Sequence, residues 1–343
     1  MPHPWVNTLL LGFVAVALTS GYFGLTNGDP GRAWILWVHA AVAYAILAVL
    51  AWKAAVVLRS LRRNRIAGTP RMAFLLMAAL FAFVLASGVT WAHAGRTVFG
   101  AVALIELHQW AAVAVGLLLA WHVAMRRAIL RVPPARDRRA FLRLAAAGTA
   151  GVALWQGAAL LTKLTGLPGA DRRFTGSYET GSFTGSFPRV SWFTDDPNPV
   201  EPDTWELVID GLVDREQHVD YETISRLARE DLDATLDCTG GWYTTQAWSG
   251  VRVATLLSTA GPKDGAGSIE VQSVTGYSRR FSMSEAQNAL LALSVAGRPL
   301  THGHGAPARL VMPDHRGFDW VKWVTRITVR GGPDIWQPPL PLQ

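Results

Sequence analysis

The stretch Trp37–Lys53, WVHAAVAYAILAVLAWK, is apolar at nearly every position but has a histidine near its start and a lysine at its end. A second stretch, Glu106–His122 (ELHQWAAVAVGLLLAWH), has the same pattern, with histidines at 108 and 122. Both stretches belong to longer apolar runs, and about 20 apolar residues suffice for a helix to cross a bilayer. They therefore predict transmembrane helices that carry polar groups into the interior of a bundle.

Three further runs have the same length and apolar character. The chain is thus predicted to begin with an all-α transmembrane bundle, with spans at Trp5–Phe23, Ala33–Leu58, Met72–Ala92, Val102–Met125 and Leu144–Thr162. Residues 1–130 are assigned to the first four helices, and residues 131–170 to the fifth helix and the signal-like segment before it. Membrane lipid is accordingly an expected partner.

The charges predict the orientation of these helices. Residues 1–170 have a net charge of +13 and residues 171–343 a net charge of −6. The arginines concentrate between the second and third spans and between the fourth and fifth, which is typical of cytoplasmic loops. The N-terminus is therefore expected inside a cytoplasmic membrane and the chain after the fifth helix outside. Because the positive charge lies in short membrane loops, no nucleic-acid binding is expected.

The intramembrane histidines indicate a haem site. His39 and Lys53, like His108 and His122, are 14 residues apart, so each pair shares a helix face and spans about 21 Å. His39 and His108 lie at similar depth near the outer surface and predict bis-imidazole ligation of one haem b, suited to electron transfer. The alternative is hydrogen bonding within the bundle. His122 and Lys53 are expected to line a site for a quinone or a proton, or to mark a second haem.

The segments around His39 and His108 resemble the helices of bacterial four-helix b-type cytochromes, in which histidines at this spacing carry haem. Lys53 departs from that pattern. Electrons are expected to pass between this haem and the quinone pool.

A segment that resembles an export signal precedes the fifth span. Asp137-Arg138-Arg139-Ala140-Phe141-Leu142-Arg143 is followed by a mild apolar stretch and looks like a twin-arginine signal, which is used for domains that cross the membrane folded. The alternative is an ordinary positively charged stop, in which paired arginines are common. The fifth helix is expected to remain as an anchor.

The second half has the pattern of a soluble α+β domain. Residues 171–200 are rich in Gly, Ser, Thr and Pro and predict a linker that wraps onto the domain. The domain itself is assigned to residues 201–335, or from about 185. Strands are expected at Trp205–Gly211, Ala234–Cys238, Ile269–Val274, Ala308–Met312 and Val324–Val329, with helices at Thr223–Arg229 and Val253–Thr259.

Cys238, the single cysteine, follows a predicted strand and precedes Thr239-Gly240-Gly241. This position presents a side chain to a pocket, whereas a lone cysteine elsewhere is commonly a small buried hydrophobe. A thiolate is a soft ligand that can complete the shell of a metal held mainly by an organic cofactor. A cysteine nucleophile is the rival interpretation, but no protease or thiol-exchange signature accompanies it.

Several blocks resemble the sulfite oxidase-type molybdopterin domain, and in particular its bacterial periplasmic branch that includes the catalytic subunit of the methionine sulfoxide reductase system. The likeness covers about residues 185–335. The blocks are Trp205–Gly211, Asp237-Cys238, Trp248–Val251, Leu256-Leu257, His304–Pro313 and Gly317–Trp323.

This resemblance implies a molybdenum–molybdopterin cofactor with Cys238 as the metal ligand. The cofactor contacts of the family fall on His304, Arg309, Trp320, Val321 and Lys322, with Ser273 at roughly the place of another contact. Relatives carry an asparagine where this chain has His304. Tyr243, Tyr277 and Arg280 are candidates for the substrate mouth.

Together these features predict a membrane-anchored molybdenum oxidoreductase. It is expected to exchange an oxygen atom with a small-molecule or protein-sulfoxide substrate outside the cytoplasmic membrane of a bacterium. One alternative is a sulfite dehydrogenase, for which Arg279, Arg280 and Arg316 could hold a dianion. Another is a membrane electron-carrier subunit without turnover.

Overall fold

The computed structural model describes residues 4–62, 69–126, 138–191, 195–227, 229–333 and 337. The chain forms two compact units, Met1–Tyr178 and Glu179–Gln343, which we call the helical unit and the sheet unit. The predicted fold class is confirmed, because helices alone make up most of the first half and an α+β arrangement makes up the second.

Within its described residues, the helical unit contains five helices that are long and apolar enough to cross a membrane. Five long apolar helices were predicted, and five helices of this kind are present among the described residues; that they cross a membrane stays a prediction. A short hairpin of two strands separates the third helix from the fourth. The elements are α1 (Pro4–Thr26), α2 (Trp34–Arg62), α3 (Thr69–Ala94), β1 (Val98–Phe99), β2 (Val102–Ala103), α4 (Leu104–Arg126) and α5 (Arg138–Leu164).

The helices pack as two consecutive pairs, α1 with α2 and α3 with α4, and α5 packs against α2. Gly151 of α5 approaches α2 so closely that a Cβ atom there would lie 2.4 Å from the Ala41 carbonyl oxygen and 2.7 Å from the Ala45 Cβ. Small residues favour helix association in lipid because they permit such close backbone contact. Gly151 therefore positions α5 beside α2.

The sheet unit is built from short strands and three brief helices. Its elements, from the boundary onwards, are β3 (Tyr178–Glu179), β4 (Glu206–Gly211), β5 (Gln217–Asp220), α6 (Tyr221–Arg226), β6 (Glu230–Cys238), β7 (Trp242–Arg252), α7 (Val253–Ala260), β8 (Ala266–Ser273), β9 (Ser278–Ser282), α8 (Met283–Asn288), β10 (Leu290–Val295), β11 (Arg298–Pro299), β12 (Arg309–Val311) and β13 (Val324–Gly331).

These strands form two sheets. In the first, β7 pairs with both β6 and β10, and β10 also pairs with β11 and β12. The second has the order β5-β4-β13-β8-β9, in which β13 runs parallel to β4 and antiparallel to β8. A single hydrophobic cluster of the sheet unit contains buried residues from both sheets, among them Leu207, Ile327, Trp248 and Leu291.

The predicted strands and helices are present with shifted ends, but two central strands differ from expectation. The predicted elements correspond to β4, β6, β8, β12, β13, α6 and α7. The strands β7 and β10, which form the centre of the first sheet, were not expected. In β7 the buried positions alternate with more exposed ones, and two of the buried residues are Thr244 and Gln246.

The Gly- and Ser-rich segment before β4 contributes to the sheet unit. The Gln246 side chain donates to the Gly181 carbonyl (2.7 Å) and accepts from the Gly185 amide (3.0 Å). Phe187 is buried in the core. This segment therefore packs on the sheet that carries Cys238.

Candidate functional site

Cys238 is the last residue of β6, which pairs with β7 along its whole length, so that Cys238 faces Trp242 across the ladder. The turn between the strands is closed by the Gly241 amide, which donates to the Cys238 carbonyl at 3.1 Å. Gly241 has a φ of 81°, a conformation that favours glycine. The Gly240 amide lies 3.4 Å from the Cys238 Sγ, so the turn directs an N–H donor at the sulfur.

A buried ion pair fixes the backbone beside the cysteine. The Arg316 guanidinium donates to the Asp237 carboxylate at 2.8 Å and to the Cys238 carbonyl at 3.1 Å. Both side chains are almost fully buried, at 3% and 2% exposure. A carboxylate buried with its cation resists separation, because either partner alone would be an uncompensated charge. The loop that contains Arg316 is thus held against the end of β6.

Arg309 is the most unusual cation of the sheet unit. Its guanidinium lies over the rings of Trp248 and Trp320, at 5.1 and 5.7 Å from their centroids. It donates to the carbonyls of His304 (3.1 Å) and Trp320 (3.4 Å). Burial lowers the pKa of Arg309 to about 9, which still leaves it charged at neutral pH. Among the described residues, no carboxylate forms an ion pair with it.

Two buried donors near Arg309 have no hydrogen-bond partner among the described residues. They are the Arg309 Nε and the Trp320 Nε1. Leaving a buried donor unsatisfied costs about 1–3 kcal/mol, and native structures do so rarely. Together with the absent counter-charge, these atoms indicate a place where an anionic, oxygen-rich ligand completes the structure.

Lys322 lies next to Arg309 because of one glycine. Gly305 has a φ of 101°, and a Cβ there would lie 3.0 Å from the Cβ atoms of both Arg309 and Lys322. The Lys322 Nζ donates to the Ser191 Oγ (2.7 Å) and the Val190 carbonyl (3.0 Å). Burial, and then the charge of Arg309, lower its pKa to about 8, although two nearby aspartates oppose the shift. Two cations are therefore held close together with mostly neutral hydrogen-bond partners.

His304 is held by the protein on both sides of its ring. Its Nδ1 is 3.1 Å from the Thr301 Oγ1, and its Nε2 donates to the Phe187 carbonyl at 3.1 Å. The ring stacks on Phe187 with centroids 4.1 Å apart. Burial is the main cause of a lowered pKa at His304, so the neutral form is favoured. His304 positions Arg309 through its carbonyl, and its ring contacts the segment that precedes the domain.

Aromatic side chains connect the cysteine to the cations. The ring centroid of Phe187 lies 6.4 Å from that of Trp242, the ladder partner of Cys238. It lies 5.8 Å from the ring centroid of Trp248, which contacts Arg309. Phe187 and Trp248 were not among the predicted site residues. The sequence feature that could have identified Phe187 is that it is a large apolar residue in a stretch otherwise rich in Gly, Ser and Thr.

The structure brings most of the predicted cofactor residues together. His304, Arg309, Trp320 and Lys322 form one cluster, and the buried Val321 links it to β12 through a 2.7 Å hydrogen bond from the Leu310 amide. Ser273 ends β8 at one side of this cluster, where the Val274 amide donates to the Trp323 carbonyl at 2.9 Å. The Ser273 Oγ accepts from the Thr275 amide at 3.3 Å.

A second charge network supports the loop that contains Arg316. The buried Asp319 carboxylate accepts from Arg279 at 2.7 Å and from His315 at 3.1 Å. His315 also lies 3.5 Å from Glu285, the residue that completes the N-terminal capping box of α8. Tyr277, a predicted mouth residue, is buried there and donates to the Phe318 carbonyl at 2.5 Å.

In the helical unit, His39 and His108 face each other. Their ring centroids are 6.3 Å apart and the ring planes are nearly perpendicular, at 84°. A bond of about 2 Å from each imidazole nitrogen to a shared transition metal would place the centroids about 6 Å apart. Across the described residues, no cluster of three or more His, Cys, Asp or Glu side chains could hold a metal ion.

Each of the two histidines is oriented by a backbone carbonyl of the preceding helix. His39 Nδ1 lies 2.9 Å from the Ala17 carbonyl, and His108 Nδ1 lies 2.9 Å from the Val84 carbonyl. Because a carbonyl only accepts, Nδ1 carries the proton and Nε2 keeps the lone pair that binds metals.

A serine and a glycine of the same preceding helix also contact each histidine ring. The Oγ atoms of Ser20 and Ser87 lie 3.5 and 3.2 Å from the respective Nδ1 atoms. A Cβ at Gly21 or Gly88 would lie only 3.0 Å from the Cε1 of the histidine. The Ser-Gly pairs therefore leave room for the rings and fix their direction.

For the remaining predicted groups of the helical unit, the structure gives only their positions. His122 is exposed on α4, and the side chain of Lys53 lies outside the described residues. In the twin-arginine-like segment, Arg138 and Arg139 begin α5 and are exposed, whereas Asp137 lies outside the described residues. The export signal stays a prediction.

Comparison with known proteins gives a consistent result for the sheet unit. Residues 194–334 match the family described as oxidoreductase molybdopterin binding domain. An uncharacterized oxidoreductase of Bacillus subtilis, YuiH, is 30% identical over 159 residues, which cover 45% of this chain and 80% of the relative. The catalytic subunit of the protein-methionine-sulfoxide reductase of Gluconobacter oxydans, MsrP, is 32% identical over 146 residues.

The coverage of these matches is uneven. The match to the Gluconobacter protein spans 37% of this chain and 47% of that protein, so it leaves out about half of the relative's length. Among solved structures, the sulfane dehydrogenase SoxCD from Paracoccus pantotrophus is 27% identical, with a TM-score of 0.37 over 38% of this chain and 39% of that chain.

The His315 network generates a prediction about stability. Burial lowers the pKa of His315, but its hydrogen bonds to Asp319 and Glu285 outweigh burial and raise the pKa to about 9. The stabilisation is full below the unfolded pKa of about 6.5 and is lost as the pH rises through about 9. We expect His315→Gln to lower the free energy of unfolding by roughly 2 to 3 kcal/mol at pH 6 and much less at pH 10.

Thermal unfolding of the full chain at both pH values, followed by tryptophan fluorescence, measures this difference. His218→Gln is the control, because His218 also pairs with two glutamates but is exposed, and exposed pairs contribute little. An equal loss of stability at pH 6 and pH 10 in His315→Gln would contradict the prediction.

Proposed function

Because the chain belongs to the oxidoreductase molybdopterin-binding domain family and is a molybdopterin oxidoreductase of the sulfite oxidase type, we propose that Cys238 binds the molybdenum of its cofactor. We further propose that Arg309 and Lys322 bind the phosphate of the pterin. The observation that carries this assignment is the buried Arg309 guanidinium, which has no carboxylate partner among the described residues.

The chemistry of the cluster fits a pterin phosphate. An arginine offers a planar set of donors that matches phosphate oxygens, and a lysine adds a point charge. The orphaned Arg309 Nε and Trp320 Nε1 provide two donors already directed into the protein interior. Binding an anion here would neutralise Arg309 and satisfy both donors, so that cofactor binding and folding of this region stabilise each other.

The surroundings of Cys238 fit a metal-binding thiolate. The Gly240 N–H is directed at Sγ and can donate a hydrogen bond to a sulfur that binds a metal. The Arg316–Asp237 pair fixes the direction of the Cys238 backbone, which is the role of a supporting group around a metal ligand. Molybdenum bound to the pterin would supply a centre that takes up an oxygen atom as it loses two electrons, or gives one up as it gains two.

A sulfoxide is the substrate class that we propose. One relative is named a protein-methionine-sulfoxide reductase, and reduction of a sulfoxide consumes two electrons and two protons and releases its oxygen as water. Oxidation of sulfite, the alternative, would require cationic groups for a dianion. Arg279 and Arg316 are each paired with a buried aspartate, and Arg280 lies 4.0 Å from Glu270. Their charges are thus offset by carboxylates, which favours a neutral substrate.

We propose that the helical unit carries a haem b between His39 and His108. The facing rings, the centroid distance of 6.3 Å and the common tautomer support this assignment. A bis-imidazole haem leaves no coordination position for oxygen and is suited to electron transfer. Through it, electrons would pass between the quinone pool and the molybdenum centre, one at a time.

We propose that the five helices anchor the enzyme in a cytoplasmic membrane. Their length and composition support a multi-pass arrangement, and the arginine-rich connections favour an N-terminus inside and a catalytic unit outside. The twin-arginine-like segment before α5 would then export the folded, cofactor-loaded unit.

Replacing the proposed metal ligand tests the assignment of Cys238. Cys238→Ser keeps the size of the side chain but exchanges a soft sulfur donor for a hard oxygen. We expect methionine sulfoxide reduction by the purified protein to disappear, while the absorbance of the haem stays unchanged. Retained activity would exclude Cys238 as the ligand, and joint loss of activity and haem absorbance would contradict separate sites.

Replacing Arg309 tests the phosphate site. Loss of a charge-assisted hydrogen bond costs about 1.5–3 kcal/mol, which corresponds to an affinity loss of about ten-fold or more. We therefore expect purified Arg309→Met protein to contain far less molybdenum and pterin than the wild type. Arg330→Met, which removes a surface arginine paired with Glu270, is the control and should keep both. Full cofactor content in Arg309→Met would refute the site.

The haem ligands are tested by the reduced-minus-oxidised spectrum of membranes. His39→Ala and His108→Ala should each remove the b-type absorbance, since one axial ligand alone does not hold the iron between two helices. His122→Ala, on the same helix as His108 but exposed, should leave the spectrum unchanged. Unaltered spectra in either of the first two variants would rule out the proposed pair.

A further inference from the structure

A hydrogen-bonded group around His93 in the helical unit has no role in the function proposed above. The His93 Nε2 lies 2.6 Å from the Tyr44 hydroxyl, and the His93 Nδ1 is hydrogen-bonded to the Thr162 hydroxyl. The three side chains come from α3, α2 and α5. We call them the Tyr44–His93–Thr162 chain.

The direction of these hydrogen bonds can be assigned. The Thr162 hydroxyl donates to the Ala158 carbonyl at 2.8 Å, so it accepts from His93, whose Nδ1 therefore carries the proton. The His93 Nε2 then accepts from the Tyr44 hydroxyl. A further proton can be added only at Nε2, directly or by way of Tyr44, so the chain has one defined place of proton entry.

One positive charge lies beside this chain. The Arg172 guanidinium is hydrogen-bonded to the carbonyl of Ala92, which precedes His93, and its charge acts on both Tyr44 and His93. Tyr178 is hydrogen-bonded to the carbonyl of Trp91, two residues before His93. A fixed cation favours a ligand whose hydroxyl becomes negative as it loses a proton.

The Tyr44–His93–Thr162 chain lies close to the proposed haem along two helices. Tyr44 is five residues from His39 on α2, and His93 is five residues from Gly88, the glycine that contacts His108 on the facing helix. Five residues of helix correspond to about 7.5 Å. A molecule bound at this chain would therefore be within a short distance of the haem edge for electron transfer.

Tyr44 and His93 are both partly exposed rather than sealed in the bundle, so a lipid-soluble molecule can reach them. Ionisable side chains in membrane segments are costly, and they commonly mark proton or substrate sites. We propose that the Tyr44–His93–Thr162 chain is the proton-exchange side of the site at which a membrane quinone meets the haem. This inference rests on the proposed haem function and places the quinone apart from His122 and Lys53.

The chemistry balances for either direction of electron flow. Oxidation of a quinol would break each hydroxyl O–H bond, with its proton passing to the His93 Nε2 directly or through Tyr44 and one electron leaving for the haem that His39 and His108 would hold; His93 would release each proton before it takes up the next. Two such steps convert the quinol to the quinone and release two protons and two electrons. In the reverse direction, His93 returns the protons to the quinone oxygens.

The test uses the full-length chain in membranes, with a short-chain quinol to reduce the haem and the matching quinone to reoxidise it. His93→Gln keeps a donor and an acceptor but cannot take up a proton. General acid–base groups contribute about 100-fold or more to a rate, so we expect haem turnover by quinol or quinone to fall by about that factor. Reduction by dithionite and the haem spectrum should not change. Tyr44→Phe should give a smaller decrease.

His122→Gln tests the rival location, because His122 is the other intramembrane histidine that the sequence makes a candidate for quinone binding. The inference is overturned if His93→Gln reacts with quinol and quinone at the wild-type rate, if it loses the haem spectrum, or if His122→Gln alone is slow. Failure of the wild-type haem to react with either quinol or quinone would instead contradict the proposed function itself.

Discussion

A guanidinium buried between two tryptophan rings is the feature on which the catalytic half depends. Arg309 reaches 3% exposure without a carboxylate partner among the described residues, and an uncompensated charge of this kind costs several kcal/mol. The carbonyls of His304 and Trp320 offset only part of that cost. The geometry of β12, the Gly305 turn and the aromatic layer is therefore explicable as a site prepared for an anion.

The cations of this region are of two kinds, those with a buried carboxylate partner and those without one. Arg316 and Arg279 have buried aspartate partners and act as structural clamps, one beside Cys238 and one beside Asp319. In the part of the chain that the structure describes, Arg309 and Lys322 have no such partner and retain a positive field. Charge alone would not distinguish these arginines, but the presence or absence of a buried carboxylate does. This distinction separates the groups that hold the fold from those available to a cofactor.

How far the sequence predicted the structure differs between its parts. The long apolar runs identified the five helices, because length and composition suffice for such spans, and the blocks around Cys238 and Arg309 located the cluster. The strand β7 was missed because its buried positions include Thr244 and Gln246, which hydrogen-bond within the fold, so the apolar alternation expected of a strand is absent. The contact of Phe187 with His304 joins residues 117 positions apart, which local patterns do not predict.

The two histidines are held by the same arrangement of residues, which occurs once in each helix pair. In each helix pair, the first helix supplies a carbonyl, a serine and a glycine, and the second supplies the imidazole that they orient. Two copies of one arrangement place two Nε2 lone pairs at one level, as a single bis-imidazole iron requires. Fourteen residues further along, the repeat is broken, because Lys53 stands where His122 would need its partner. An ammonium group is a poor iron ligand, so the duplication is consistent with the single haem that we propose and leaves the second level without a ligand pair.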